Sequence, residues 1–235
     1  MIPLRDTAPR NRFPIINIGL ILLNVLVFLH QSALPPEQLY RFIFKYGSIP
    51  ANLTLNLSGI LGPDFSFSAL LAAALPLVTA NFLHGGWLHL IGNMLYLWIF
   101  GDNIEGKVGH LQYLLLYLFM GASSQLFHLL SDPHSTVPLV GASGAIAGVL
   151  GAYFILYPRA RILTLLPLGF FITFVHLPAM LFLGFWFLLQ LLNASLQGAA
   201  IGVQSVAWWA HVGGFIVGLI IGIAAKKKTR AEYRY

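Results

Sequence analysis

Six apolar segments, some shorter than a full span, separated by breaks organise this chain. They run over about 14–30, 87–101, 111–130, 141–157, within 173–192, and 206–225. Each break holds charge, Pro or Gly: Pro35-Pro36, residues 102–107, Asp132-Pro133, residues 158–161 and residues 193–204. In lipid a segment must satisfy its own backbone groups, so apolar runs of about this length predict membrane-spanning helices. The alternating strands of a membrane barrel are not evident. The pattern therefore predicts an all-α fold, a polytopic bundle of six transmembrane helices over 14–225. A tail at 1–13 precedes it and a basic tail at 226–235 follows. The first segment has a basic start like a secretory signal, but its apolar run is long for one and is read as a span. Within the long loop 31–83, the stretches 39–46 and 65–77 are apolar or amphipathic but short. They predict helices lying in the membrane interface.

Composition agrees with this picture. Hydrophobic residues make up 58% of the chain and charged residues 9%, against about 25% charged in soluble domains. Lipid, not water, is the implied solvent. There is no Cys, so disulfides and thiolate metal sites are excluded. A net charge of +6 could suggest nucleic acid. The basic residues instead flank the apolar segments, which argues against a nucleic-acid partner and for membrane orientation. With the N-terminus in the cytoplasm, every Lys and Arg except Arg41 and Lys45 falls on the inner side. Both termini are then cytoplasmic and the loop 31–83 lies outside. The compact form suggests a prokaryotic plasma membrane.

Polar side chains inside a membrane are costly, so they are candidates for function. Ser143 falls at the start of the fourth segment and His211 a few residues into the sixth. His89 and Asn93 lie in the second, four residues apart and hence on one helix face. In the orientation above, all sit within about 10 Å of the outer boundary. A Ser hydroxyl needs a base, and His is the usual one. A tetrahedral intermediate needs donors for its oxyanion: the Ser143 N–H near a helix N-terminus, with His89 and Asn93 as further candidates. No carboxylate falls within an apolar segment, so a Ser–His dyad is expected rather than a triad. Gly144, Ala147, Gly148 and Gly151 form a small-residue stripe on the fourth segment, and Gly214, Gly218 and Gly222 one on the sixth. Such stripes let membrane helices meet backbone to backbone, which predicts a direct pairing of the two.

These residues resemble the motifs of the rhomboid family. Gly141-Ala142-Ser143-Gly144 is similar to its GxSG. Residues 210–218, Ala-His-Val-Gly-Gly followed by Gly218, are similar to its AHxxGxxxG. Residues 84–93, with His84, His89 and Asn93, are similar to its HxxxxHxxxN. The resemblance implies an intramembrane serine endopeptidase with a Ser143–His211 dyad, needing no cofactor. It implies that His89, Asn93 and the Ser143 N–H bind the oxyanion. It implies that transmembrane protein substrates with a single span are cut near the outer face, with small residues favoured before the cut. It also implies a lateral gate on the fifth helix, for which Phe182, Phe185 and Trp186 are candidates, and a mobile cap at 192–205 containing Gly198 and Gly202. One departure concerns the imidazole. Where some members carry a Tyr four residues after the serine, this chain has Ala147, so another ring or simple packing must orient His211.

His84 is expected to play a structural hydrogen-bonding role beside the site. Zinc on His84, His89 and His211 is not expected, since His84 and His89 fall on different faces and no HExxH helix exists. His30, His110, His128, His134 and His176 are expected to be solvated. Ser124, Gln125 and Gln190 either serve the chemistry or join helices. Glu105 is expected to anchor a loop. Two rival functions stand beside the protease: a catalytically inactive relative that binds membrane clients, and a small-molecule transporter. The latter would predict an internal repeat or an intramembrane carboxylate.

Overall fold

A computed structural model describes residues 1–62, 65–169, 171–197 and 206–232. Asp64 and the expected cap glycines Gly198 and Gly202 lie outside the described residues. The chain opens with strand β1 (Ile2–Asp6) and helix α1 (Ile15–Ala33). Then come α2 (Pro36–Tyr46), α3 (Pro50–Leu61) and α4 (Phe67–Thr79), with a 3-10 turn at Ala80–Phe82. The remaining elements are α5 (Trp87–Val108), α6 (His110–Ser131), α7 (Ser143–Leu156), the hairpin β2 (Arg161–Leu168) and β3 (Phe171–Pro178), α8 (Ala179–Gln197) and α9 (Trp208–Glu232).

Helices α1, α5, α6, α7, α8 and α9 occupy the six apolar segments. Four of them, α1, α6, α8 and α9, are long and apolar enough to cross a membrane alone. Helix α5 joins them only as a bent pair with the preceding helix Phe67–Phe82, the two meeting at 87°. The reason is composition: α5 runs on through Asp102, Asn103, Glu105 and Lys107, beyond the apolar stretch. Two carboxylates thus lie inside a helix, contrary to the sequence reading. Helix α7 has 14 residues, about 21 Å of rise. It can be short because protein, not lipid, surrounds it: Gly144–Tyr153 are all buried. Helices α5, α6, α8 and α9 all touch it.

The glycine stripes explain the closest of these contacts. A Cβ on Gly214 would lie 2.2 Å from the Gly144 carbonyl oxygen, and one on Gly218 would lie 1.9 Å from that of Gly148. From the other side, a Cβ on Gly151 would meet the Phe215 carbonyl oxygen at 2.1 Å. Backbone meets backbone along the α7–α9 seam, as the small-residue spacing predicts.

The sheet is the feature that apolarity concealed. β1 and β3 flank β2, all antiparallel. The expected fifth segment began at Thr173, but Phe171–Pro178 is strand. Its aromatic and β-branched run, Phe171, Ile172, Thr173, Phe174 and Val175, suits a strand. The helix begins only after Pro178, which fits proline's place at helix starts.

At the end of α5 remote from His89, a polar network joins the elements. Glu105, fully buried, accepts N–H bonds from Ile16 (2.9 Å) and Asn17 (2.7 Å), the first free donors of α1. It also pairs with His110 Nδ1 at 2.5 Å. The anchoring role expected for Glu105 takes this form. Arg10 pairs with Asp102 at 2.6 Å, and Tyr153 donates to Asp6.

Candidate active site

Ser143 is the first residue of α7. The chain reaching it is held on both sides. Ser48 and Leu139 exchange backbone hydrogen bonds at 3.1 and 2.7 Å, and Gly141 N–H donates to the Ala80 carbonyl at 2.9 Å. Gly141 has φ +129°, a conformation that side chains rarely adopt. Being at the helix start, the Ser143 N–H has no carbonyl in the preceding turn to bond.

His211 lies in the first turn of α9 and is buried. Its Nε2 is 2.8 Å from Ser143 Oγ. The two residues are 68 positions apart in sequence and are brought together by the glycine seam. The His211 Nδ1 lies 2.9 Å from Gln190 Oε1 on α8. Two indole rings flank the imidazole: Trp186, centroids 6.1 Å apart, and Trp208, edge-on at 5.8 Å. These supply the aromatic company that Ala147 cannot.

His89 and Asn93 converge beside the serine. A Cβ built on Gly141 would lie 2.9 Å from His89 Nε2 and 3.7 Å from Asn93 Nδ2. Only a glycine leaves that space open to both donors. His89 Nδ1 accepts the Gly85 N–H at 3.4 Å, which leaves the proton on Nε2, the ring nitrogen near Gly141. Asn93 Nδ2 donates to His84 Nε2 at 3.0 Å. His84 is clamped in turn, its N–H donating to Gln31 Oε1 (3.0 Å) and its carbonyl accepting from Gln31 Nε2 (3.3 Å). Gln31, at the end of α1, carried no signal in the sequence, where it falls at the start of the loop.

Gly144 abuts the side chain of Ser124 on α6: a Cβ there would come 2.0 Å from Ser124 Oγ. Ser124 and Gln125 line a cavity of about 30 Å³ with Gly141, Ser143 and Ala210. Of the gate candidates, Phe182 is buried and bridges α8 to α5, its ring 6.4 Å from Phe100 and 6.5 Å from Tyr96. Phe185 is exposed on α8. Trp186 sits beside His211. Of the histidines expected to be solvated, His128 is buried on α6, against which α3 and α4 pack. His110 stays partly exposed while its Nδ1 meets Glu105.

The arrangement can do nucleophilic acyl chemistry: a hydroxyl, a base on it, and donors grouped at its side. Fold and site together define a polytopic helical membrane protein with a serine–histidine pair among its helices. A family model, the Rhomboid domain, matches residues 72–228. Rhomboid protein 1, mitochondrial, of Saccharomyces cerevisiae is 30% identical over 200 residues, 82% of this chain and 49% of its own. Rhomboid-like protein 11, chloroplastic, of Arabidopsis thaliana is 33% identical over 150 residues, 61% of this chain and 50% of its own. Rhomboid protease GluP of Bacillus subtilis is 31% identical over 148 residues, 63% of this chain and 25% of its own. This chain belongs to the rhomboid family and is a multi-pass membrane protein. It spans about half the length of the first two relatives.

Proposed function

We propose that the protein is an intramembrane serine endopeptidase that cuts single-span membrane proteins near the outer face. The 2.8 Å contact between Ser143 Oγ and His211 Nε2 carries this reading. Ser143 Oγ attacks the peptide carbonyl carbon while His211 takes its proton. His89, Asn93 and the Ser143 N–H stabilise the oxyanion. The C–N bond then breaks, and His211 returns the proton to the leaving amine. A water in the cavity beside Ser124 and Gln125, large enough for one, attacks the acyl carbon and gives its proton to His211; the ester bond to Ser143 Oγ then breaks as His211 returns that proton to the serine. No cofactor takes part.

The substrate reaches the serine between α5 and α8. In this proposal Phe182, Phe185 and Trp186 form the gate, and opening it separates Phe182 from Tyr96 and Phe100. Gly141, Gly144, Gly214 and His84 hold the machinery in place. The membrane is a prokaryotic plasma membrane with both termini in the cytoplasm, which keeps the basic residues inside.

The test is cleavage of a model single-span substrate by purified protein in detergent. Wild type is expected to cut, and Ser143→Ala and His211→Ala are not. Equal cutting by all three would remove the dyad. No cutting by the wild type across a panel of substrates would favour an inactive, client-binding member.

A further inference from the structure

We infer that Gln190 is a positioning residue that fixes the tautomer of His211, so that the imidazole faces Ser143 as a base. The inference rests on the protease reading above and adds a third residue to it.

Hydrogen-bond direction fixes which nitrogen of His211 carries the proton. Gln190 lies on α8, buried, 21 positions before His211. Its side-chain amide has one donating end and one accepting end. Nε2 donates to the Trp186 carbonyl, one helical turn back, at 3.2 Å. A carbonyl oxygen can only accept, so the nitrogen end must face Trp186. The oxygen end therefore faces His211, with Oε1 2.9 Å from Nδ1.

An amide oxygen also only accepts. The proton between the two groups must then belong to His211 Nδ1. A neutral imidazole carries one N–H. Nε2 is left with its lone pair, aimed at Ser143 Oγ 2.8 Å away. That is the tautomer able to take the hydroxyl proton. The other tautomer would set the Nδ1 lone pair against Oε1 and leave two buried acceptors facing each other. Reversing the amide would set Oε1 against the Trp186 carbonyl instead. Each alternative strands buried polar atoms without partners, which is costly.

The same contact holds the ring in position. His211 is gripped from α8 through Nδ1 and meets α7 through Nε2, with Trp186 and Trp208 beside it. No carboxylate is needed for this. A neutral amide sets the tautomer without placing a buried negative charge in the membrane, where it would be costly. The sequence signal was a lone amide in an otherwise apolar stretch of α8.

The experiment uses the full chain in detergent with Gln190→Leu, which removes the acceptor at similar size, and Gln190→Glu, which restores one. Cleavage kinetics are joined to nitrogen NMR of His211, assigned by its loss in His211→Ala. The wild type is expected to carry its proton on Nδ1. Gln190→Leu is expected to lower kcat about 10- to 100-fold, the worth of one buried hydrogen bond, with KM little changed. It should also move the proton population toward Nε2. Gln190→Glu is expected to regain most of kcat. A wild-type proton on Nε2 would overturn the inference with no variant involved, even if Gln190→Leu failed to fold. So would a folded Gln190→Leu with wild-type kcat, or one as slow as expected whose tautomer is unchanged. If the wild type itself cuts nothing while its tautomer depends on Gln190, the protease reading fails and the contact stands.

Discussion

Gly218 lies against Gly148 so closely that a methyl group on it would come within 1.9 Å of the Gly148 carbonyl oxygen. This is the tightest point of the seam that carries His211 to Ser143. The obstacle is backbone, so no side chain can turn aside to relieve it.

Gly218→Ala is therefore predicted to push α9 away from α7. Overpacking costs about 1–3 kcal/mol when neighbours can give, and a rigid helix backbone places this case at the upper end. Thermal unfolding should shift down and cleavage should fall sharply. Gly19→Ala is the control, since nothing lies within 4 Å of its added Cβ. Equal effects from the two substitutions would separate the site from the seam.

Gly141→Ala is predicted to inactivate while leaving the fold intact. The residue sits at φ +129°, where a side chain costs about 1–3 kcal/mol. Its methyl would also strike His89, 2.8 Å from Cε1. Cleavage measured beside a thermal melt checks this: activity lost, most of the melting temperature kept.

His89→Ala and Asn93→Ala are each predicted to lower kcat by about 100- to 1,000-fold with a much smaller change in KM, as for loss of an oxyanion donor. Asn93→Ala also frees His84 Nε2, so it should cost more stability than His89→Ala. Steady-state kinetics on a single-span substrate, with melts of both variants, give the comparison.

Glu105→Ala is predicted to destabilise without touching chemistry. It leaves the Ile16 and Asn17 N–H groups buried without their acceptor and releases His110. Leaving buried donors without their acceptor costs about 1–3 kcal/mol apiece. The melting temperature should drop, while kcat per folded molecule stays near wild type.

Burial pushes the Asp6 carboxyl up from its ordinary value, against the lowering effect of its bond from Tyr153 and of Arg10. A carboxyl raised in the native state favours folding below its unfolded pKa, and that advantage is lost as pH rises through the native value. Asp6→Asn should therefore gain on the wild type in melting temperature as pH rises from about 4 to 7. A difference flat with pH would contradict this.

The residues that touch one another across the site were legible because each carries its own signal. Ser143, His211, His89 and Asn93 are polar groups in apolar runs, and the glycine spacing on α7 and α9 told which helices meet. The sheet was not legible, because Thr173–Pro178 is as apolar as a span and only its β-branched and aromatic content marks a strand. The reach of α5 through Glu105 was missed for the opposite reason: its charges read as a loop, yet their partners on α1, α6 and the N-terminal segment bury them within a helix. Partners of this kind depend on tertiary neighbours. Gln31 on His84 and Gln190 on His211 are amides in apolar helices, a residue type equally suited to joining helices.

The most direct measurement of the central claim is covalent labelling by a serine-directed fluorophosphonate, with the modified residue located by mass spectrometry. The account predicts a single adduct on Ser143, abolished in Ser143→Ala and greatly slowed in His211→Ala, because the hydroxyl reacts only when Nε2 takes its proton. Labelling at another residue, or at Ser143 with the same rate in His211→Ala, would contradict it.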